Sequence, residues 1–528
     1  MPRRAEHHDR NLARHPSPRR PSSVFSLLLC FLASLLPFLL ASCHRASSSD
    51  PSTLVFLIES SPTNLDPRIA TDAQSERMDG LLFSSLVEHD DQLDIRGDLA
   101  ERWETPNPLT YVFHLRPGVR FHDGRPLTSA DVKFTFDSIL SGAVSTAKRG
   151  TYRMVASVEA PDDATVIFHL KEPYASLLWE LSRPGIGIVP RGSGADFAAH
   201  PIGSGPFRFV RASQEEEVLL ERNPDYFRGA PALTRVRFRI VPDAIVRALE
   251  LRKGSADLEM SSLSADMVRV LGRQPALEIT ERSGTNYSYV GANLEDPLLA
   301  RREVRQALAY ATDRDAIIQY LLRGQARPAS GILPPNHWAY EPSVRQYPYD
   351  PARAEQLLDA AGFPRRAGGR RVKLTLKTST DEFPRLLGAA LQEQWRRAGI
   401  ELELRPLELA TLLADVNRGN FQLCYLRWVG GNLDPDIFEF VFSSRRFPPD
   451  GANRGHYRNP EFDGLSDQIR VEGNPERRKV LCSRAQKTLA EDQPYINLWF
   501  NDVICVHRRG LGPLRLSPTG DYDFLASP

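Results

Sequence analysis

The sequence predicts an α/β chain of more than one domain, and two observations carry that expectation. Short apolar runs rich in β-branched residues alternate with amphipathic segments of helical spacing along the chain, with no internal repeat. Proline and glycine are plentiful, 41 and 34 in 528 residues, which suits many turns and long excursions between elements. Such a length holds about two or three hydrophobic cores.

The runs TLVFLI at 53–58, TVIFHL at 165–170, VRFRIV at 236–241 and VKLTL at 372–376 read as strands. Helical spacing covers 129–138, 304–322, 352–361 and 383–398. Between 99 and 140 the order is a strand at 110–115, a turn at Pro117-Gly118 and a second strand at 119–121. An Asp123-Gly124 turn and a helix follow. That helix is signposted by Thr128-Ser129-Ala130-Asp131, a cap followed by an acid in the first turn. Gly362 closes the helix before it.

Composition removes several classes. Lys+Arg is 67 against Asp+Glu 66, so no charge excess calls for nucleic acid or an acidic partner. The N-terminus is patterned differently. Arginines at 3, 4, 10, 14, 19 and 20 precede an almost wholly apolar run at 24–40, which ends in Leu40-Ala41-Ser42-Cys43. A basic head, an apolar middle and a small-residue exit make a secretory signal, and Pro37 argues against an uncleaved span. The site resembles the lipobox of bacterial lipoproteins, which implies a signal at 1–42 and an acylated Cys43. Residues 43–51 are polar and form a tether. Cys424, Cys482 and Cys505 have neither CxxC nor zinc spacing; one disulfide among them is open, and the pair is not specified.

Catalytic signatures are missing from the sequence. There is no P-loop, no His-Glu-x-x-His and no Gly-x-Ser-x-Gly. Ser145-Thr146-Ala147-Lys148 matches Ser-x-x-Lys, but no Lys-Thr-Gly follows, and so short a pattern arises by chance. No His/Cys/carboxylate group has metal-site spacing. The expectation is a binder rather than an enzyme, with no metal and no cofactor.

An ordered set of segments then carries a resemblance. They are Asn64-Leu65-Asp66-Pro67, the stretch 99–140, HPIGSGPF at 200–207, NPDYFRG at 223–229, VRQALAYATD at 304–313, the stretch 324–335, YDPARAEQLLDAAGF at 349–363 and AQKTLAEDQPYINL at 485–498. Together they resemble bacterial extracellular solute-binding protein family 5, the peptide- and nickel-binding lipoproteins that serve ABC importers, over about residues 54–525. The resemblance implies a periplasmic-binding-protein-like fold (class II, type C): two lobes closing on a solute, with an inserted extra domain. Domain I would be 52–85, 201–285 and 498–528, domain II 86–200 and domain III 286–497, with hinge strands near 280–290 and 490–500. It also implies a peptide or peptide-like ligand, permease and ATPase partners, a monomer, and an exported, lipid-anchored location. An oligosaccharide, an opine-like compound or a metal chelate remains open as ligand, as does a sensor or chaperone without a transporter.

The same resemblance nominates site residues. Tyr425 to Asp436 matches the family's ligand-facing strand and loop, which makes Arg427, Trp428, Val429, Gly430, Gly431, Asn432 and Asp434 candidates. Gly430 and Gly431 stand where an aspartate usually meets a ligand's amino terminus, so this loop is expected to supply no charged partner for an amine. Lys377 stands at the matching place for a carboxylate anchor. Trp499 and Tyr287, at the expected hinge crossing, and Asn64, in the early loop, complete the set.

Overall fold

The computed structural model describes residues 52–527 except 214, 367 and 431–433. The signal, tether and Cys43 therefore lie outside the described residues, as do Gly431 and Asn432.

One eleven-stranded mixed sheet runs through the molecule. Its edge-to-edge order is 400–407, 372–379, 423–428, 277–292, 495–508, 258–260, 53–58, 235–240, 217–222 and 207–213, with 326–328 set on 495–508. The first strand, Thr53–Ile58, is buried at every position and pairs in parallel with Arg235–Ile240, which explains its unbroken apolar run.

Two strands are much longer than the rest, Leu277–Ala292 and Tyr495–Arg508, and they pair antiparallel with each other. Their register breaks between Arg282 and Asn286, so the pairing of 277–282 with 503–508 is offset from that of 286–291 with 495–501. Gly284 sits in the break, where a Cβ would come 2.3 Å from the Asn501 carbonyl; only glycine fits. On one side of the break lies a core around Phe56, Phe207, Phe238 and Tyr522. On the other lies a core around Leu374, Leu391, Trp395 and Trp499. The molecule is thus two-lobed, with the two long strands as the shared spine. Asp502 lies beside the break with its side chain fully enclosed, 3.4 Å from Arg327 and next to Glu281.

A separate four-stranded antiparallel sheet, Ala100–Asn107, Thr110–Leu115, Thr165–Leu170 and Val155–Asp162, carries its own core. Helix Ser129–Leu140 packs on it through Phe136, edge-on to Phe168 at 4.9 Å. A cap is expected at its start, and there Thr128 and Asp131 form a capping box, the Thr128 N–H donating to Asp131 at 2.9 Å.

Two expectations about elements change. Residues 119–121 form no strand, only an isolated bridge between Arg120 and Pro126. The apolar periodicity at 304–322 belongs to two helices, Arg302–Tyr310 and Arg314–Tyr320. Asp313 ends the first by capping the second, accepting from the Ala316 N–H at 2.9 Å. The three cysteines at 424, 482 and 505 are buried and unpaired, in separate cores.

Candidate functional site

Where the lobes and the separate sheet meet, the chain leaves a cavity of about 130 Å3. Its walls come from five distant stretches: Glu76 and Arg77 on helix Ala73–Leu82; His89; Trp179, Glu180 and Arg183 on and after helix Leu177–Leu181; Val429, Gly430 and Asp434 beyond strand Leu423–Trp428; and Thr519 and Asp521 near the C-terminus. His89 adds its ring, stacked on Trp179 at 5.8 Å, and Trp179 stacks in turn on His337 at 6.4 Å. Residues hundreds of positions apart converge here because the spine strands bring the lobes together.

The charges are unevenly matched. Arg183 lies 3.5 Å from Glu76 and 3.8 Å from Glu180, one guanidinium for two carboxylates. Burial pushes Glu180 up to about 7; Arg183 opposes this, while Asp434, Asp436 and Glu76 add to it. The Arg77 guanidinium lies over the Tyr522 ring, 5.5 Å from its centroid. His89 Nε2 is 3.9 Å from Asp521.

Asp434 is committed elsewhere. Arg478 donates to both its oxygens, at 2.8 and 3.1 Å, and Ser176 Oγ donates at 2.6 Å. Burial opposes the charged form, but Arg478 and these bonds hold the Asp434 carboxyl below the usual range. Two residues on, Asp436 accepts from Tyr174 at 3.1 Å, and burial with neighbouring Asp434 pushes it up to about 6. The Asp434-Pro435-Asp436 turn therefore ties the lobe holding Arg478 to the segment carrying Tyr174 and Ser176.

The expected site residues divide. Val429 and Gly430 line the cavity, and a Cβ on Gly430 would meet nothing within 4 Å. Arg427 is exposed on the same strand. Trp428 does not line the cavity: its ring sits edge-on to Phe440 at 6.2 Å, under the Arg454 guanidinium at 5.4 Å. Trp499 and Tyr287 do not line this cavity; both are fully buried in cores on the spine strands. Lys377 also lies away from this cavity, with its ammonium donating to Asp415 Oδ2 at 2.7 Å and to the Asn420 carbonyl. Asn64 shapes a turn by accepting from the Asp66 N–H at 2.8 Å. Lys148, of the Ser-x-x-Lys match, donates to the Pro67 carbonyl at 2.7 Å and to the Gly185 carbonyl.

Sequence reading missed Arg77, His89, Glu180, Arg183 and Asp521. One signal was available: Glu180 is a lone acid inside the apolar run Leu177-Leu178-Trp179-Glu180-Leu181. Among the described residues no group of His, Cys, Asp and Glu has the geometry to hold a metal ion. No described helix is long and apolar enough to cross a membrane.

Comparison with known proteins agrees with this architecture. Residues 94–446 match the model of bacterial extracellular solute-binding proteins, family 5. A probable di/tripeptide-binding protein of Pseudomonas aeruginosa is 30% identical over 94% of this chain and 98% of its own length. Heme-binding protein A of Haemophilus influenzae is 28% identical over 89% of this chain and 90% of its own. Among solved structures, the ABC transporter substrate binding protein CtaP of Listeria monocytogenes superposes with a TM-score of 0.81 at 27% identity. It covers 90% of this chain and 98% of its own. By motif order, fold and match, this chain belongs to family 5 of the bacterial extracellular solute-binding proteins.

Proposed function

We propose that this protein captures a peptide or peptide-like solute in the cavity between its lobes and delivers it to the permease of an ABC importer. The observation that carries this reading is the convergence of five distant stretches on one cavity, beside a spine with a break in register. Hinged lobes suit a carrier because closure encloses the solute from both sides and presents a different surface to the transporter. The di/tripeptide-binding relative supports the choice of peptide, and CtaP supports the importer partner.

The proposal includes the division of the chain. Residues 52–85, 201–285 and 498–528 form domain I, 86–200 the inserted domain II and 286–497 domain III. It also includes export as a monomer, cleavage after residue 42 and acylation of Cys43. The decisive experiment is mass spectrometry of the solute that co-purifies with the protein, followed by small-angle scattering of stripped and reloaded samples. A co-purifying peptide and a smaller radius of gyration on reloading are expected. A non-peptide solute, or an unchanged profile at saturation, overturns the reading.

A further inference from the structure

Away from the cavity, two helices cover the Val55 and Leu57 face of strand Thr53–Ile58 and turn aliphatic side chains outward. Helix Ala244–Lys253 buries Arg247 and Leu251. Its opposite face carries Ile245, Val246 and Leu249, from 44% to 59% exposed. Helix Ala265–Leu271 touches it and adds exposed Val270, with Ile279 lying against Gly272 just beyond. Arg247 fixes the arrangement by donating to the Pro242 carbonyl at 2.8 Å and to the Ser262 carbonyl at 2.6 Å, ahead of the second helix. An exposed apolar group rimmed by charge marks an interaction surface.

The rim is of one sign. Arg252, Lys253, Arg269 and Arg273 are exposed, and among the described residues they enter no ion pair. The acids nearby are occupied. Asp243 caps the first helix through the Val246 N–H, Glu250 holds Arg239 and Ser255, and Asp266 holds Arg323. Asp257 and Glu278 hold Arg508 and Arg509, each at 2.9 Å. The membrane anchor leads to the same corner. The Val55 N–H donates to Asp257 Oδ2 and the Asp257 N–H to the Val55 carbonyl, both at 2.8 Å. Strand Thr53–Ile58 thus starts beside the turn that follows Arg252 and Lys253. Acylation at Cys43 leaves only the nine residues 43–51 between lipid and fold, about 30 Å at full extension.

We propose that this face of the two helices rests on an anionic phospholipid surface. Ile245, Val246, Leu249 and Val270 meet the boundary between headgroups and acyl chains, and the four unpaired cations meet lipid phosphates. The face is a second membrane contact beside the acyl chain, and it fixes which side of the lobe meets the bilayer. The inference rests on the export and acylation reading above and goes beyond it, since an acyl chain on a tether leaves the orientation of the fold open. Each lysine or arginine close to an anionic bilayer raises partitioning about fivefold, and salt screens the effect.

The test floats the mature chain carrying Cys43→Ser, which has no acyl chain to contribute, with vesicles of phosphatidylcholine alone or mixed equally with phosphatidylglycerol. Binding to the mixed vesicles is expected, with far weaker binding to the neutral ones and release in high salt. Arg252→Gln combined with Lys253→Gln should lower the partition coefficient about 25-fold. Leu249→Gln should lower it as well, and neither change should shift the melting temperature, because these side chains are exposed. Equal binding to both kinds of vesicle, or unchanged binding in both variants, overturns the proposal. So does displacement by millimolar inorganic phosphate, which would assign the cations to a free anion. A dimer that dissociates in Leu249→Gln would assign the face to a second copy of the chain. Impaired uptake with unchanged flotation in the double variant would assign it to the permease; either result overturns the proposal. Mass spectrometry of the wild-type N-terminus keeps the two readings apart. An unmodified Cys43 overturns the anchoring reading and this proposal with it, whereas an acylated Cys43 without flotation overturns this proposal alone.

Discussion

Replacing Arg478 with alanine strands a carboxylate that the fold has no other means of neutralising. Arg478 and Asp434 have side chains only 6% and 9% exposed, and two hydrogen bonds join them. Ser176 and the Asp436 N–H would remain as donors, but among the described residues no other cation pairs with Asp434. At an effective dielectric of about 20, two charges roughly 4 Å apart attract by about 4 kcal/mol. Removing one partner of a buried pair costs about 3–5 kcal/mol. The loss should depend on pH in a definite direction. In the wild type the Asp434 carboxyl is held low, so its contribution is full above the unfolded value of about 3.9 and fades only as pH falls below that. In Arg478→Ala burial is opposed only by the Ser176 and Asp436 N–H bonds, the folded pKa is raised, and the charged form penalises the fold until acid neutralises it. The stability gap between wild type and variant should therefore be widest at pH 8 and should narrow toward pH 5. Urea unfolding followed by tryptophan fluorescence at both pH values measures it. Arg478→Leu combined with Asp434→Ala should recover most of the loss, since no charge is then left buried. A gap of equal size at pH 5 and pH 8 would refute the reasoning, because the cost would then be packing rather than an orphaned acid.

Three other substitutions test separate parts of the structure. Burial, helped by the shared bond with Glu281, pushes Asp502 up to about 7 beside the break in the spine. An acid raised in this way loses stability as pH rises from the unfolded value of about 3.9 to the folded value of about 7, so the advantage of Asp502→Asn over wild type in melting temperature should grow from pH 4 to pH 7 and level off above it. A parallel pH slope in the two proteins would exclude this origin. Trp395 is fully buried and donates Nε1–H to Thr312 at 3.0 Å, so Trp395→Ala should cost about 3–5 kcal/mol in denaturant unfolding. A loss under 1 kcal/mol would mean that the core there collapses to fill the space. Cys43→Ala should release the protein from the membrane fraction, as judged by fractionation and mass spectrometry of the N-terminus. A variant that stays membrane-bound would point to an uncleaved apolar segment.

The strands were legible where burial shows in the residues themselves. The runs at 53–58, 110–115 and 165–170 match the observed elements because one face or both is apolar throughout. Continuous periodicity at 304–322 concealed a helix break, since Asp313 can sit on a helix surface as readily as it can cap one. Aromatic residues at the crossing, Trp499 and Tyr287, looked available to a ligand because sequence gives no sign of which face of a spine strand is enclosed. The cavity was largely illegible for a different reason. Glu76, Glu180, Gly430 and Asp521 belong to four segments with no common periodicity, and only the sheet order places them together.

That sheet order also constrains how the chain can fold. The last spine strand, Tyr495–Arg508, lies between Leu258–Met260 on one side and Leu277–Ala292 on the other. Until it is inserted, Glu259 lacks its partner Val506 and Val290 lacks Ile496, so a gap stays open in the sheet of each half. Contacts spanning so many residues close slowly, and a chain emerging from its N-terminus has to wait for nearly its full length. Both halves are thus completed by the same late strand. A chain cut short before residue 495 would lose the two together and would leave no folded half to compete for the transporter.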